Sequence, residues 1–262
     1  MSRKAAGMAA KHEITLFPPP DSVVGQRYYY VTQRPWPSLL FVLPMLIVFE
    51  AGSYLCDGGR DPSTQLVATF LIDKMTKFFG ASGFFFPAMA TVAILLAIHI
   101  VGKHPWRFDI YVLPGMLGES IIWVVPLLVL DRLLQQAVLA ARLAAQDAWL
   151  SEMVWSFGAG LYEELVFRLI CITIMVIVLI DILKLPRKPS ALFIMLSSAV
   201  LFAAQHHPPL GVEPFQTDKF LFRTIAGIYL ASLYIFRGFG IAAGCHSFYN
   251  VIVVTIRAVG GG

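Results

Sequence analysis

The stretch Leu161-Tyr162-Glu163-Glu164-Leu165-Val166-Phe167-Arg168-Leu169-Ile170 sets two carboxylates and a guanidinium in an apolar run that carries no further charge until Asp181. Ionisable groups at membrane depth cost about 2.5–3.5 kcal/mol each at a helix centre. Three so close together demand a site facing a bundle interior or a water-filled cavity. Glu164 and Arg168 are i and i+4 with the acid first, so they pair along one helix face. Glu163 lies about 100° round the helix and has no such partner. The plain alternative is a structural ion pair beside a surface glutamate at the membrane edge.

The rest of the chain supports membrane depth. Of 262 residues, 58% are hydrophobic and 14% charged, where a soluble domain runs near 25% charged. The apolar runs are long and continuous, which excludes the alternating pattern of a membrane barrel. The fold class is therefore all-α, a polytopic transmembrane helix bundle. The first residues hold no long apolar run, so no cleavable signal peptide is expected. Cys56, Cys171 and Cys245 fit no zinc or redox spacing and are expected to be packing residues. A net charge of +4 suits anionic lipid headgroups. Membrane lipid is an expected partner and nucleic acid is not.

Residues 1–36 read as a polar N-terminal segment and 37–262 as a single membrane domain. About seven spans are expected, near 37–55, 84–102, 109–131, 152–184, 190–207, 219–236 and 240–258. Two amphipathic interfacial helices are expected at 65–80 and 135–150. The third span carries Pro114, Gly115, Gly118 and Pro126 and should kink or break. The fourth is about 50 Å long at 1.5 Å per residue, against a core of about 30 Å, so it must tilt, protrude or break. Lys and Arg counts favour a cytoplasmic N-terminus only weakly, with eleven in the inner segments and eight in the outer. No internal repeat shows, which counts against a transporter built from two related halves.

Three further polar groups stand in apolar surroundings. His206 ends the run Phe202-Ala203-Ala204-Gln205, with His207 and two prolines following. His246 and Asn250 share one helix face at i and i+4. Helix capping for His206 or His207, and a helix–helix hydrogen bond for His246 and Asn250, are the bland readings. Taken together, two carboxylates, two histidines and an amide point to hydrolysis. A carboxylate takes a proton from water, a histidine orients that water or acts as acid, and donors stabilise an oxyanion. The same set offers zinc ligands, with Glu163, His206 and His246 as candidates, although His-Glu-x-x-His is absent. Ser247 and Cys245 point to other faces than His246. The carboxylates Glu50 and Glu119 belong to no motif.

Glu163-Glu164-Leu-Val-Phe167-Arg168 resembles the Glu-Glu-x-x-x-Arg motif of the CPBP family of CAAX prenyl proteases and bacteriocin-processing enzymes. Phe202-Ala-Ala-Gln-His206 resembles its Phe-x-x-x-His motif, and His246-Ser-Phe-Tyr-Asn250 its His-x-x-x-Asn motif. All three follow in the family's order over about 151–258. The resemblance implies an intramembrane endopeptidase, of glutamic or metallo type, acting on a membrane-associated peptide. Prenylated CAAX boxes and leader peptides are the candidate substrates. It implies that Glu163 and His206 activate water, that Glu164 positions the site and pairs with Arg168, and that His246 and Asn250 form an oxyanion hole. The preferred mechanism requires no cofactor, and a divalent metal such as zinc is the alternative. The expected location is a cytoplasmic or equivalent inner membrane. The rival reading is a non-catalytic scaffold or peptide-binding immunity protein on the same fold.

Overall fold

The computed structural model describes residues 23–57, 85–106, 109–134 and 149–259, and all regular structure among them is helical. Helix α1 is Val23–Thr32, α2 is Pro35–Asp57 and α3 is Phe86–Val101. Helix α4 runs Val112–Leu134, α5 Trp149–Ile182, α6 Arg187–Ala204, α7 Thr217–Arg237 and α8 Phe239–Val259. Six of these, α2 and α4 to α8, are long and apolar enough to cross a membrane. They match six of the expected spans to within about a turn. The remaining one, α3, has 16 residues, about 24 Å of helix against a core of about 30 Å. It is opened by Pro87 in its first turn and closed at Gly102, and its sequence marks neither end as short. The amphipathic helix expected at 65–80 lies outside the described residues. So does the one at 135–150, apart from Trp149 and Leu150, which open α5.

Helix α4 is interrupted at Trp123. The cause is Pro126, which lacks an N–H and whose ring clashes with the carbonyl four residues back, that of Ile122. Helix α5 resolves its excess length differently. It stays continuous for 34 residues but widens into π-helix at Leu165–Ile172 and again at Ile177–Ile182. The first π segment begins directly after Glu164. Such segments are rare and concentrate at functional sites.

The core forms where α8 packs along the first half of α5, with α2 on one side and α7 on the other. Phe49, Leu161, Tyr162, Leu165, Ile241 and Ala243 are buried there. With lipid outside, helices associate through close packing of small residues rather than through a hydrophobic drive. Gly160 shows this: a Cβ on it would lie 2.5 Å from the backbone nitrogen of Ser247. A smaller cluster of Ile172, Ile194 and Ala231 ties α5 to α6 and α7.

The sequence leaves 23–34 within a polar segment, but the structure docks it as helix. Tyr28 donates to Glu119 Oε2 at 2.9 Å, and Gln33 donates to the Phe236 carbonyl at 3.0 Å. Glu119 also accepts from Trp123 and from both Nε and Nη2 of Arg237, whose guanidinium lies over the rings of Tyr28 and Tyr29. Burial, with the nearby Glu119 carboxylate, pushes the Tyr28 phenol above its ordinary range, so it remains a donor. Glu119 is thus the centre of a latch between α1, α4 and α7. Glu50 is likewise structural, accepting the Tyr162 hydroxyl at 2.7 Å.

Candidate active site

Three segments bring the motif residues together beside one cavity of about 590 Å³, which Glu163, His206, His246 and Asn250 line. Helix α5 supplies the two glutamates and Arg168. The turn after α6 supplies His206, and α8 supplies His246 and Asn250. The close approach at Gly160 and Ser247 is what makes this possible. Glu164 is one turn beyond Gly160, on the same face of α5, and His246 is the neighbour of Ser247.

Glu164 and Arg168 are both fully buried and pair at 3.2 Å, as their spacing predicts. Arg168 also donates to the Gly227 carbonyl at 3.2 Å and lies 4.3 Å over the Phe202 ring. The second oxygen of Glu164, Oε1, lies 2.9 Å from His246 Nδ1. Glu164 therefore holds a histidine and an arginine and does not line the cavity. Glu163 does line it. His206 Nε2 lies 3.5 Å from Glu163 Oε1, and His246 Nε2 lies 3.7 Å from Glu163 Oε2.

The other nitrogen of each ring fixes its protons. His206 Nδ1 is 3.1 Å from the Phe202 carbonyl, which can only accept, so Nδ1 carries the hydrogen. His246 Nδ1 faces a carboxylate and donates in the same way. Each ring in its neutral form then turns a bare Nε2 toward Glu163. Phe202 packs edge-on against both rings, with centroids 5.6 and 5.7 Å away. The motif's phenylalanine thus supports both histidines and the buried arginine at once. Asn250, half-buried, lines the same cavity one turn along α8 from His246.

The structure also separates the two adjacent histidines. His207 is buried away from the cavity, its Nδ1 donating to the Glu213 carbonyl at 3.1 Å and its ring packed on Phe215 and Phe220. Glu163, His206 and His246 are donor types that zinc takes. Among the described residues, no three His, Cys, Asp or Glu side chains form a group that could hold a metal ion. Sequence reasoning missed Gln205, Glu213, Lys219 and Arg223, all of which line the cavity. A faint signal lies in Lys219 and Arg223, one turn apart at the start of an apolar helix.

With this geometry in place, residues 145–252 match the family described as type II CAAX prenyl endopeptidase Rce1-like. That segment is similar to the Rce1-like family over 145–252. The match contains all of the candidate site residues, from Glu163 to Asn250. No curated protein and no solved structure matches the chain. The six apolar helices, together with this similarity, support an integral, multi-pass membrane protein. The CAAX-protease resemblance carried by the three motifs agrees with the domain match.

Proposed function

We propose that the protein is an intramembrane endopeptidase that hydrolyses a peptide bond of a membrane-associated substrate with a water activated by Glu163 and His206. The observation that carries this reading is the arrangement of both Nε2 atoms, of His206 and His246, around the Glu163 carboxylate inside the cavity. A carboxylate and a bare imidazole nitrogen repel each other unless a proton lies between them. A water seated there satisfies both by donating one hydrogen to each, which polarises its oxygen for attack.

The steps use the side chains alone. The water oxygen bonds to the scissile carbonyl carbon as Glu163 takes its proton. The carbonyl oxygen becomes an oxyanion, met by the Asn250 amide and by His246. In this step His246 enters as an imidazolium, its second proton taken from solvent onto Nε2 before the substrate binds and given back after the products leave. Glu164, which holds Nδ1–H, is the charge that balances it. The C–N bond then breaks, with the proton on Glu163 passing to the departing amine.

The test compares new peptide N-termini in membranes holding wild type or Glu163→Gln at equal expression. Termini that appear only with wild type support the proposal. An identical set in both, with both proteins folded, overturns it in favour of a peptide-binding scaffold. Cleavage that persists after chelation supports the glutamate step, and cleavage lost to a chelator and restored by zinc overturns it.

A further inference from the structure

One part of the cavity wall holds charge that the hydrolytic steps do not use. Lys219 and Arg223 lie one turn apart near the start of α7, and both line the cavity with Glu213. Arg223 Nη2 donates to Glu213 Oε1 at 2.7 Å, and Lys219 Nζ lies 3.8 Å from Glu213 Oε2. Two cations therefore share one carboxylate on this wall, the other carboxylate that lines the cavity being Glu163. The Arg223 side chain is 18% exposed, and its Nη1 is buried without a hydrogen-bond partner among the described residues. A buried guanidinium N–H left open is costly, and a carboxylate is the partner whose shape fits the fork.

Glu213 keeps its hold on Arg223. Burial raises its carboxyl, but the Arg223 guanidinium outweighs this and, with His206 and Lys219, holds it below the ordinary range. It stays charged and fixes the guanidinium in place. The same residue ties this wall to the candidate hydrolytic end, because the Glu213 N–H donates to the His206 carbonyl at 3.1 Å. Phe222, Leu230 and Val253 line the cavity as well and keep part of its wall apolar.

Resting on the protease reading above, we propose that Arg223, assisted by Lys219, anchors the free C-terminal carboxylate of the substrate while the scissile bond lies at Glu163. A CAAX box is a chain terminus, so its last residue brings such a carboxylate. Three extended residues span about 10 Å, about the diameter of a sphere with the cavity's volume of 590 Å³. The anchor makes distance from the chain end a condition of binding.

The experiment uses two fluorescent prenylated peptides, identical except for a free acid or an amide at the C-terminus, with the full chain in liposomes. Binding is read on Glu163→Gln protein and turnover on protein with Glu163 intact. The acid is expected to bind about ten- to a hundredfold more tightly than the amide. Arg223→Gln is expected to bring the acid down to the amide's level, and Arg223→Lys to keep part of the preference. Equal affinity of acid and amide overturns the anchor, as does absence of binding by either. An equal loss for both peptides in Arg223→Gln also overturns it, because that reports a structural role. A preference in binding with no bond cut overturns the protease reading and leaves the anchor standing. Cleavage without preference overturns the anchor alone.

Discussion

His246 Nδ1 and Glu164 Oε1 stand 2.9 Å apart, and this contact gives two adjacent glutamates opposite duties. Glu164 commits its two oxygens to His246 and Arg168 inside the protein, while Glu163 turns its own toward the cavity. Substituting the pair one at a time should therefore separate stability from turnover.

Glu164→Gln leaves Arg168 buried without a counter-charge. A loss of about 3–5 kcal/mol is expected for breaking such a pair, together with loss of cleavage. Glu163→Gln is expected to lose cleavage and still melt close to wild type. Thermal unfolding in detergent, run beside the cleavage assay, checks both. Equal melting temperatures for the two variants would contradict the division of duties.

The adjacent histidines supply a second contrast. His206→Ala is expected to lower kcat about 10²–10⁴-fold, the range for a lost acid–base group. His207→Ala strips the Glu213 carbonyl of its donor, at a cost of about 1–3 kcal/mol in stability, with cleavage retained. Single-turnover rates and melting curves on both proteins decide whether the turn faces the cavity as described.

Gly160 sets the distance between α5 and α8. In Gly160→Val the new side chain meets the backbone of Ser247, and the helices must part. A destabilisation of about 1–3 kcal/mol is expected from overpacking. Cleavage should fall further than that loss explains, because His246 moves away from both glutamates. A cysteine pair across the two helices, read by cross-linking yield, reports the separation directly.

The latch on Glu119 should behave as structure only. Arg237→Ala leaves the half-buried Glu119 carboxylate with Tyr28 and Trp123 as donors but without its cation, for an expected loss of about 1–3 kcal/mol. Tyr28→Phe removes one neutral donor, for about 1 kcal/mol. Hydrogen exchange over Val23–Thr32 should rise strongly in the first variant and slightly in the second.

Local patterns are legible in the amino-acid sequence itself. The Glu164–Arg168 pair follows from i, i+4 spacing, and so does the isolation of Glu163. The spans follow from runs of apolar residues, and the break in α4 from Pro126. What stays hidden depends on packing between distant segments. Glu119 has no i±4 cation, and its arginine lies 118 residues away. The choice between His206 and His207 is made by the turn after Ala204. The motif resemblance groups His206 and His246 with the glutamates, but only the packing of α5, α6 and α8 shows which nitrogen faces which oxygen. Arg223 and Lys219 read as flanking charges of a span, since nothing in their own segment places the start of α7 in the cavity wall.

The π segment after Glu164 amounts to one residue more than an α-helix needs to cover the same rise. Holding this stretch in α-helix at its present length would turn everything beyond it by about 100°. Ile172 would then leave its contact with Ile194 and Ala231, although no residue of the site had been touched. The segment works as a register setting. It lets the first half of α5 face α8 while the second half faces α6 and α7, so deleting one residue here, with relaxation to α-helix, should be tolerated far better than adding one.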